Sequence, residues 1–382
     1  MPKKRSSSWV LLFVIYFLVH ALIRTALGGS FTADELAIIA DAQSFAWLYD
    51  GEMPLYAWSQ RAVIDLFGPT VLSVTILKNA ILLLICLSVF TLVERVSNAS
   101  YAFAATISLL FLPQLAWTSQ HGMTTPVLAT LFAATTLLSF SRLSEERSFA
   151  RYGVLGAMMG LGAVSSICYL LVPAALFPAA LTSAHHRKIV LNKRMGVTAL
   201  IAIGLAAKPY YVLVQSGTTV FPDMAEVYPL SLDLVMDRAR GMYSALQTAL
   251  TFSSLLIVGA AITIYAGLGR NLPVNGQTLA LRELLLRTVS VGLLLIFGIA
   301  FLNGGTWMDQ ASLQPLLFLM APVLALYLFP AMSTTTHRHA LTVAGVIATV
   351  ILLVTPAHYS FGGRLGALDQ QASYTPSQSG YP

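Results

Sequence analysis

An all-α protein that crosses a bilayer about eleven times is the fold class this sequence predicts. Three observations predict it. Of 382 residues, 57% are hydrophobic and only 10% are charged, against roughly 25% charged residues in a soluble domain. Mean hydropathy is +0.74. The apolar residues also come in runs close to the roughly 20 residues that cross a hydrocarbon core. So little charge excludes a soluble, a disordered or a disulfide-scaffold protein. The net charge of +6 does not indicate nucleic acid as a partner. Its basic residues fall in short clusters between apolar runs, the pattern of cytoplasmic loops. Cys86 and Cys168 lie inside apolar runs and are expected as inert buried thiols.

The elements follow in order. Lys3, Lys4 and Arg5 precede an apolar run from Trp9 to Ile23. A signal peptide has that outline too, but Arg24 stands where cleavage wants a small residue. A retained first helix is expected, with Arg24 snorkelling at its outer end. A loop over 28–70 comes next and holds six acids: Asp34, Glu35, Asp41, Asp50, Glu52 and Asp65. Spans are expected near 70–93, 101–119 and 126–141. The stretch 152–183 is too long for one helix and divides near Ser165–Ser166 into two short helices. Further spans are expected near 196–214, 244–267, 287–303, 313–331 and 341–356.

With the N-terminus inside and the C-terminus outside, fifteen of the 22 bases fall inside and twelve of the 16 acids outside. Bases set orientation and acids contribute little, so the skew of the acids asks for a functional reason. Residues 1–356 are read as one transmembrane domain. The tail 357–382, rich in Gln, Ser, Tyr and Pro, is expected outside and disordered.

The first outer loop carries the informative pattern. Thr32 followed by Glu35 reads as a capping box. Leu36, Ile39, Ala40, Ser44 and Trp47 have the spacing of an amphipathic helix on the membrane surface. Asp50-Gly51-Glu52-Met53-Pro54-Leu55-Tyr56-Ala57-Trp58 then adds acids and two aromatics. Pro54 is expected to force an extended approach there, with the aromatics at interface depth.

An Asp-Glu pair after the first span, then Gly-acid, Pro-Leu-x-x-Trp and Leu66-Phe67-Gly68, resembles the membrane glycosyltransferases of the C superfamily. More narrowly, the pattern is similar to the protein mannosyltransferase and aminoarabinose transferase group, which uses polyprenyl-phosphate sugars. Lys78 follows Gly68 by ten residues. Arg151-Tyr-Gly-Val-Leu-Gly156-Ala-Met-Met-Gly160-Leu-Gly162 resembles the Leu-Gly-x-x-x-Gly-Leu helix of that family. Lys208-Pro209-Tyr210-Tyr211 and Leu313-Gln314-Pro315-Leu316 also match in order. The resemblance covers roughly the first 215 residues and rests on the order of weak motifs. Two positions depart from it. Thr124-Thr125-Pro126 stands where the family often has an Asp before Pro, and Met53 replaces a Lys.

The resemblance implies an inverting transfer of sugar from a polyprenyl-phosphate donor to a lipid or cell-surface glycan acceptor. The site would face the periplasm from a bacterial inner membrane. A carboxylate must take or orient the acceptor proton, and positive charge must hold the leaving phosphate. Asp34 is the implied base, with Glu35 and Glu52 beside it in the acidic site. Arg61, Lys78 and Lys208 are candidates for the phosphate, and Tyr56, Trp58 and His121 for substrate contact. A divalent metal is another source of positive charge; the missing second acid leaves the cofactor unassigned.

Each residue also has an ordinary alternative. Asp34 and Glu35 stabilise a helix N-terminus, and Lys78 and Lys208 can snorkel. A lone histidine such as His121 is more often structural. Gly156 and Gly160 fit close helix packing and not a dinucleotide loop. A transporter or lipid flippase is the rival class, but its ionisable residues belong near the midplane. A family member without activity is the other alternative, kept by the missing second acid.

Overall fold

The computed structural model describes residues 3–27, 31–121, 125–217, 232–265, 274–303 and 310–357. These are helical almost throughout. The first half comprises α1 (Lys3–Leu27), α2 (Ala33–Gln43), α3 (Leu55–Phe67), α4 (Val71–Val96), α5 (Ala99–Ile107), α6 (Ser119–His121), α7 (Thr125–Arg142) and α8 (Phe149–Ser165). The second half comprises α9 (Leu171–Leu181), α10 (Ala184–Val190), α11 (Met195–Gln215), α12 (Leu232–Phe252), α13 (Ser254–Tyr265), α14 (Gly276–Asn303), α15 (Gln310–Leu317), α16 (Met320–Leu328) and α17 (Thr334–Ala357).

Among the described residues, five helices are each long and apolar enough to cross a membrane, or seven if two bent pairs each count as one span. Several of the passages expected as single spans are interrupted, for identifiable reasons. The run 101–119 is α5, then a 3-10 turn over Ser108–Phe111 and a π turn over Gln114–Thr118. Pro113 has no N–H to continue the ladder, and the Ser119 hydroxyl closes the wider turn on the Gln114 carbonyl at 2.7 Å. The expected span 244–267 is α12 and α13, bent by 60°. At the bend the Ser253 and Ser254 hydroxyls donate back to the Ala249 and Thr251 carbonyls, the back-bonding that bends helices. The predicted division near Ser165–Ser166 is where α8 ends and a 3-10 turn leads into α9.

Helix α1 lies against α4 and α5 through Phe13 with Phe90 and Phe103, and Trp9 stacks on Phe103 at 3.9 Å. Helices α8 and α11 approach closely because Gly156 and Gly160 face Thr198, Ala202 and Leu205. A Cβ at Gly156 would sit 2.6 Å from the Thr198 carbonyl oxygen. The Thr198 hydroxyl donates to the Tyr152 carbonyl at 2.8 Å across the same seam. The bundle thus has two polar ends. One gathers Arg95, Arg142, Arg151 and Arg194 with the carboxylates and carbonyls that bind them. The other gathers Arg24, Glu35 and Lys78. Helix α4 joins the two ends: seventeen residues from Lys78 to Arg95 rise about 25 Å at 1.5 Å each.

Candidate active site

The first loop builds its site from local signals. Thr32 caps α2, accepting from the Glu35 amide at 3.3 Å while the Glu35 carboxylate accepts from the Thr32 amide at 3.0 Å. That reciprocal box draws the Glu35 side chain back over the helix start. Two cations meet it there. Arg24 Nη2 lies 3.3 Å from Glu35 Oε2, and Lys78 Nζ lies 3.6 Å from Oε1. All three side chains are at most 4% exposed. Arg24 therefore does not snorkel as expected; it is held inward by a buried carboxylate.

Around this triad, His20, Thr75, Asn79, Gln120 and Thr355 line a polar cavity of about 10 Å³. That is room for about one water. Lys78 donates to the Gln120 carbonyl at 3.5 Å, and the Gln120 amide donates to Asn79 Oδ1 at 3.4 Å. The π turn after Pro113 is what carries Gln120 to this position.

Asp34 is the neighbour of Glu35 but exposed. Adjacent helical residues are separated by about 100° around the axis, so burying one carboxylate turns the other out. The buried face of α2 is Glu35, Ile38, Ile39 and Ala42. Of the expected membrane-surface face, Ile39 is buried and Leu36 and Ala40 are exposed, with the ion pairs of Glu35 on the inward side.

The second acidic point is a tight turn. Tyr49 and Glu52 exchange backbone hydrogen bonds at 3.1 and 2.7 Å, with Asp50 at φ 44 and Gly51 at φ 86. Asp-Gly suits two successive positive φ values. Pro54, expected to hold an extended approach, instead precedes the first turn of α3 at φ −82, ψ −12, a place where a missing N–H costs nothing. The Glu52 carboxylate accepts from the Thr125 hydroxyl at 2.8 Å. Asp41 lies within electrostatic reach of this turn. Partial burial raises its carboxyl above the ordinary aspartate value, and Asp50 and Glu52 raise it further.

Comparison with known proteins bears on this geometry. A family model described as dolichyl-phosphate-mannose-protein mannosyltransferase matches residues 52–211. The lipopolysaccharide core galacturonosyltransferase RgtB of Rhizobium johnstonii is 26% identical over 361 residues, 93% of this chain and 72% of that protein. RgtA of the same organism is 26% identical over 316 residues, covering 81% and 62%. The crystal structure of ArnT from Cupriavidus metallidurans bound to undecaprenyl phosphate shares the fold at TM-score 0.60 and 15% identity. That match covers 92% of this chain and 65% of that one. The family match and the two curated relatives support a membrane glycosyltransferase of the C-superfamily type.

In this glycosyltransferase the structure joins some of the expected residues and separates others. Glu35 and Lys78 meet, with exposed Asp34 next to Glu35, and Glu52 meets Thr125, one of the two threonines at the position expected to hold a second acid. Thr124 lies outside the described residues, as do residues 358–382. Tyr56 is 1% exposed; its hydroxyl has no hydrogen-bond partner among the described residues. Burial, and then the Glu35 charge, push its phenol up. Gln60, one turn on, is also fully buried with its amide unpartnered, so this face of α3 keeps unspent polar capacity.

The remaining candidates stand apart from the triad. The Trp58 indole donates to the Ala46 carbonyl at 3.0 Å and stacks on Phe45, with Trp47 edge-on. This cluster fastens the exit of α2 to α3. Arg61 donates to the Gln43 carbonyl at 3.4 Å. Lys208 is exposed on α11, with its ammonium 5.4 Å from the Tyr211 ring centre. His121 ends α6, next to the Gln120 carbonyl that Lys78 reaches.

The residues missed in the sequence are Arg24, His20, Asn79, Gln60 and Gln120. A signal for two of them existed, since polar side chains such as His20 and Asn79 are costly inside a span and mark functional positions. A divalent metal would need a converging donor set. Among the described residues no three His, Cys, Asp or Glu side chains form one.

Proposed function

We propose that this glycosyltransferase moves a sugar from a polyprenyl-phosphate donor to a lipid or cell-surface glycan acceptor, with inversion, at the outer face of a bacterial inner membrane. One observation carries the reading: an exposed carboxylate, Asp34, adjoins a buried carboxylate that holds two cations at the end of a membrane helix. The triad brings two cations, Arg24 and Lys78, to one point at the membrane boundary. Cations so placed stabilise the charge that develops on a leaving phosphate.

In this scheme the acceptor hydroxyl approaches the anomeric carbon from the side opposite the phosphate. Asp34 accepts its proton as the new glycosidic bond forms. The bond from the anomeric carbon to the phosphate oxygen breaks, and the polyprenyl phosphate leaves with the electron pair. Glu35 does not take part in proton transfer; it positions Arg24 and Lys78. The cavity beside them, with room for about one water, is a charged floor and not the sugar pocket. Glu52 and Thr125 hold the adjoining loop against α7. The names of the two Rhizobium relatives make a galacturonosyl donor and a lipopolysaccharide core acceptor the first pair to test.

The test is transfer of labelled sugar from a panel of polyprenyl-phosphate donors to cell-envelope lipid, with the protein in lipid bilayers. Label should move with wild type and not with Asp34→Asn. Undiminished transfer by Asp34→Asn would end the base assignment. Donor binding without transfer in either protein would identify an inactive member, and no donor binding would favour the transporter.

A further inference from the structure

The end of the bundle away from the triad holds a second polar cavity, which the transfer scheme does not use. It measures about 330 Å³ and is lined by Arg95, Ser139, Arg142, Arg151 and Val154. Its walls are the last turns of α4 and α7 and the first turns of α8.

The charges around it do not cancel. Arg95 pairs with Glu145. Arg151 lies 3.7 Å from Glu145 and 2.8 Å from Glu146, and also donates to the Arg142 carbonyl at 2.6 Å. Arg142 forms no ion pair among the described residues, and its buried Nε has no hydrogen-bond partner there. Three guanidinium groups thus face two carboxylates, and Arg142 is the uncompensated one. An unpaired donor in a partly buried guanidinium has high capacity for an oxyanion, and the planar fork suits phosphate oxygens.

The depth of the cavity narrows the class of oxyanion. It lies about 25 Å along α4 from Lys78, near the full thickness of a hydrocarbon core of about 30 Å. That is headgroup level on the opposite side of the membrane. Val154, which lines the cavity, is 47% exposed on α8. Apolar surface therefore continues outward from the charged floor, as a molecule with a phosphate and acyl chains requires.

We propose that this cavity binds the phosphodiester headgroup of an anionic membrane lipid in the leaflet opposite the transfer site, with Arg142 as its main ligand and Arg95 and Arg151 alongside. Basic pockets between transmembrane helices are the recognised setting for such headgroups. The same chemistry would accept a soluble phosphate, so the test separates the two sources.

Delipidated full-length protein in an uncharged detergent is titrated with phosphatidylglycerol, with diacylglycerol, which has the chains without the phosphate, and with inorganic phosphate. Bound ligand is counted by native mass spectrometry. Phosphatidylglycerol should bind saturably at one site, and the other two should not bind over the same range. Arg142→Gln should weaken that binding about tenfold or more, the loss of one charge-assisted contact, and Arg142→Lys by less. Lys188→Gln, an exposed base on α10, should leave it unchanged. The melting temperature of each lipid-free variant checks that it is folded. Unchanged binding by folded Arg142→Gln, an equal loss in Lys188→Gln, or inorganic phosphate binding as well as the lipid would each overturn the proposal.

Discussion

The Thr125 hydroxyl donates to the Glu52 carboxylate at 2.8 Å, tying the first residue of α7 to the turn that leads into α3. Thr124 and Thr125 stand where a second acid was expected, and here a hydroxyl satisfies the loop acid instead of repelling it. A hydrogen bond to a charged group contributes about 1.5–3 kcal/mol. Thr125→Val should lower stability by that order, and Glu52→Gln by a similar amount. The double variant should cost clearly less than the sum, as chemical denaturation of all three would measure.

Glu35→Gln should be among the most damaging single changes in the loop. It would remove the carboxylate that Arg24 and Lys78, both about 4% exposed, share. Removing one partner of a buried ion pair costs about 3–5 kcal/mol. Adding Lys78→Met to Glu35→Gln should recover part of the melting temperature. A Glu35→Gln variant with wild-type stability and lost transfer would instead make Glu35 a direct participant.

Asp34→Asn is expected to behave in the opposite way. The side chain is exposed, so expression and thermal stability should match wild type. Transfer should fall about 10²–10⁴-fold, the usual contribution of a general base. The two adjacent acids are thus separable by one pair of variants, scored for both stability and rate.

Asp41 supplies a pH signature. Its carboxyl is raised above the ordinary 3.8, first by burial and then by Asp50 and Glu52. The folded protein therefore holds this proton more tightly than the unfolded chain. The associated stability is fully present below the unfolded value and is lost as pH rises through the folded one. Asp41→Asn should give a small rise in melting temperature at neutral pH, and the gain should disappear near and below pH 3.8.

At the seam of α8 and α11, a Cβ on residue 156 would lie 2.6 Å from the Thr198 carbonyl oxygen and 2.9 Å from its Cα. Backbone cannot give way as a flexible side chain would. Gly156→Ala should destabilise by about 1–3 kcal/mol. Gly204→Ala, where nothing lies within 4 Å, is the control that should not.

Much of this molecule was readable from local chemistry. Low charge and apolar runs determine a helical membrane protein, because only internally hydrogen-bonded segments cross lipid. The capping box at Thr32 and Glu35, the division at Ser165–Ser166 and the close approach at Gly156 and Gly160 depend on neighbours in sequence or on the size of one side chain. Pattern could also mark Asp34, Glu35, Glu52 and Lys78 as a set. It could not say which of two adjacent carboxylates turns inward. That choice depends on Arg24 and Lys78 reaching one point from two different helices, and a helix can present only one of two neighbours to that point. For the same reason Arg61, Trp58 and Lys208, plausible by order along the chain, stand with Gln43, Ala46 and Tyr211 instead. The Glu52–Thr125 contact and the uncompensated Arg142 are likewise sums over distant residues, and only the packed bundle brings those charges together.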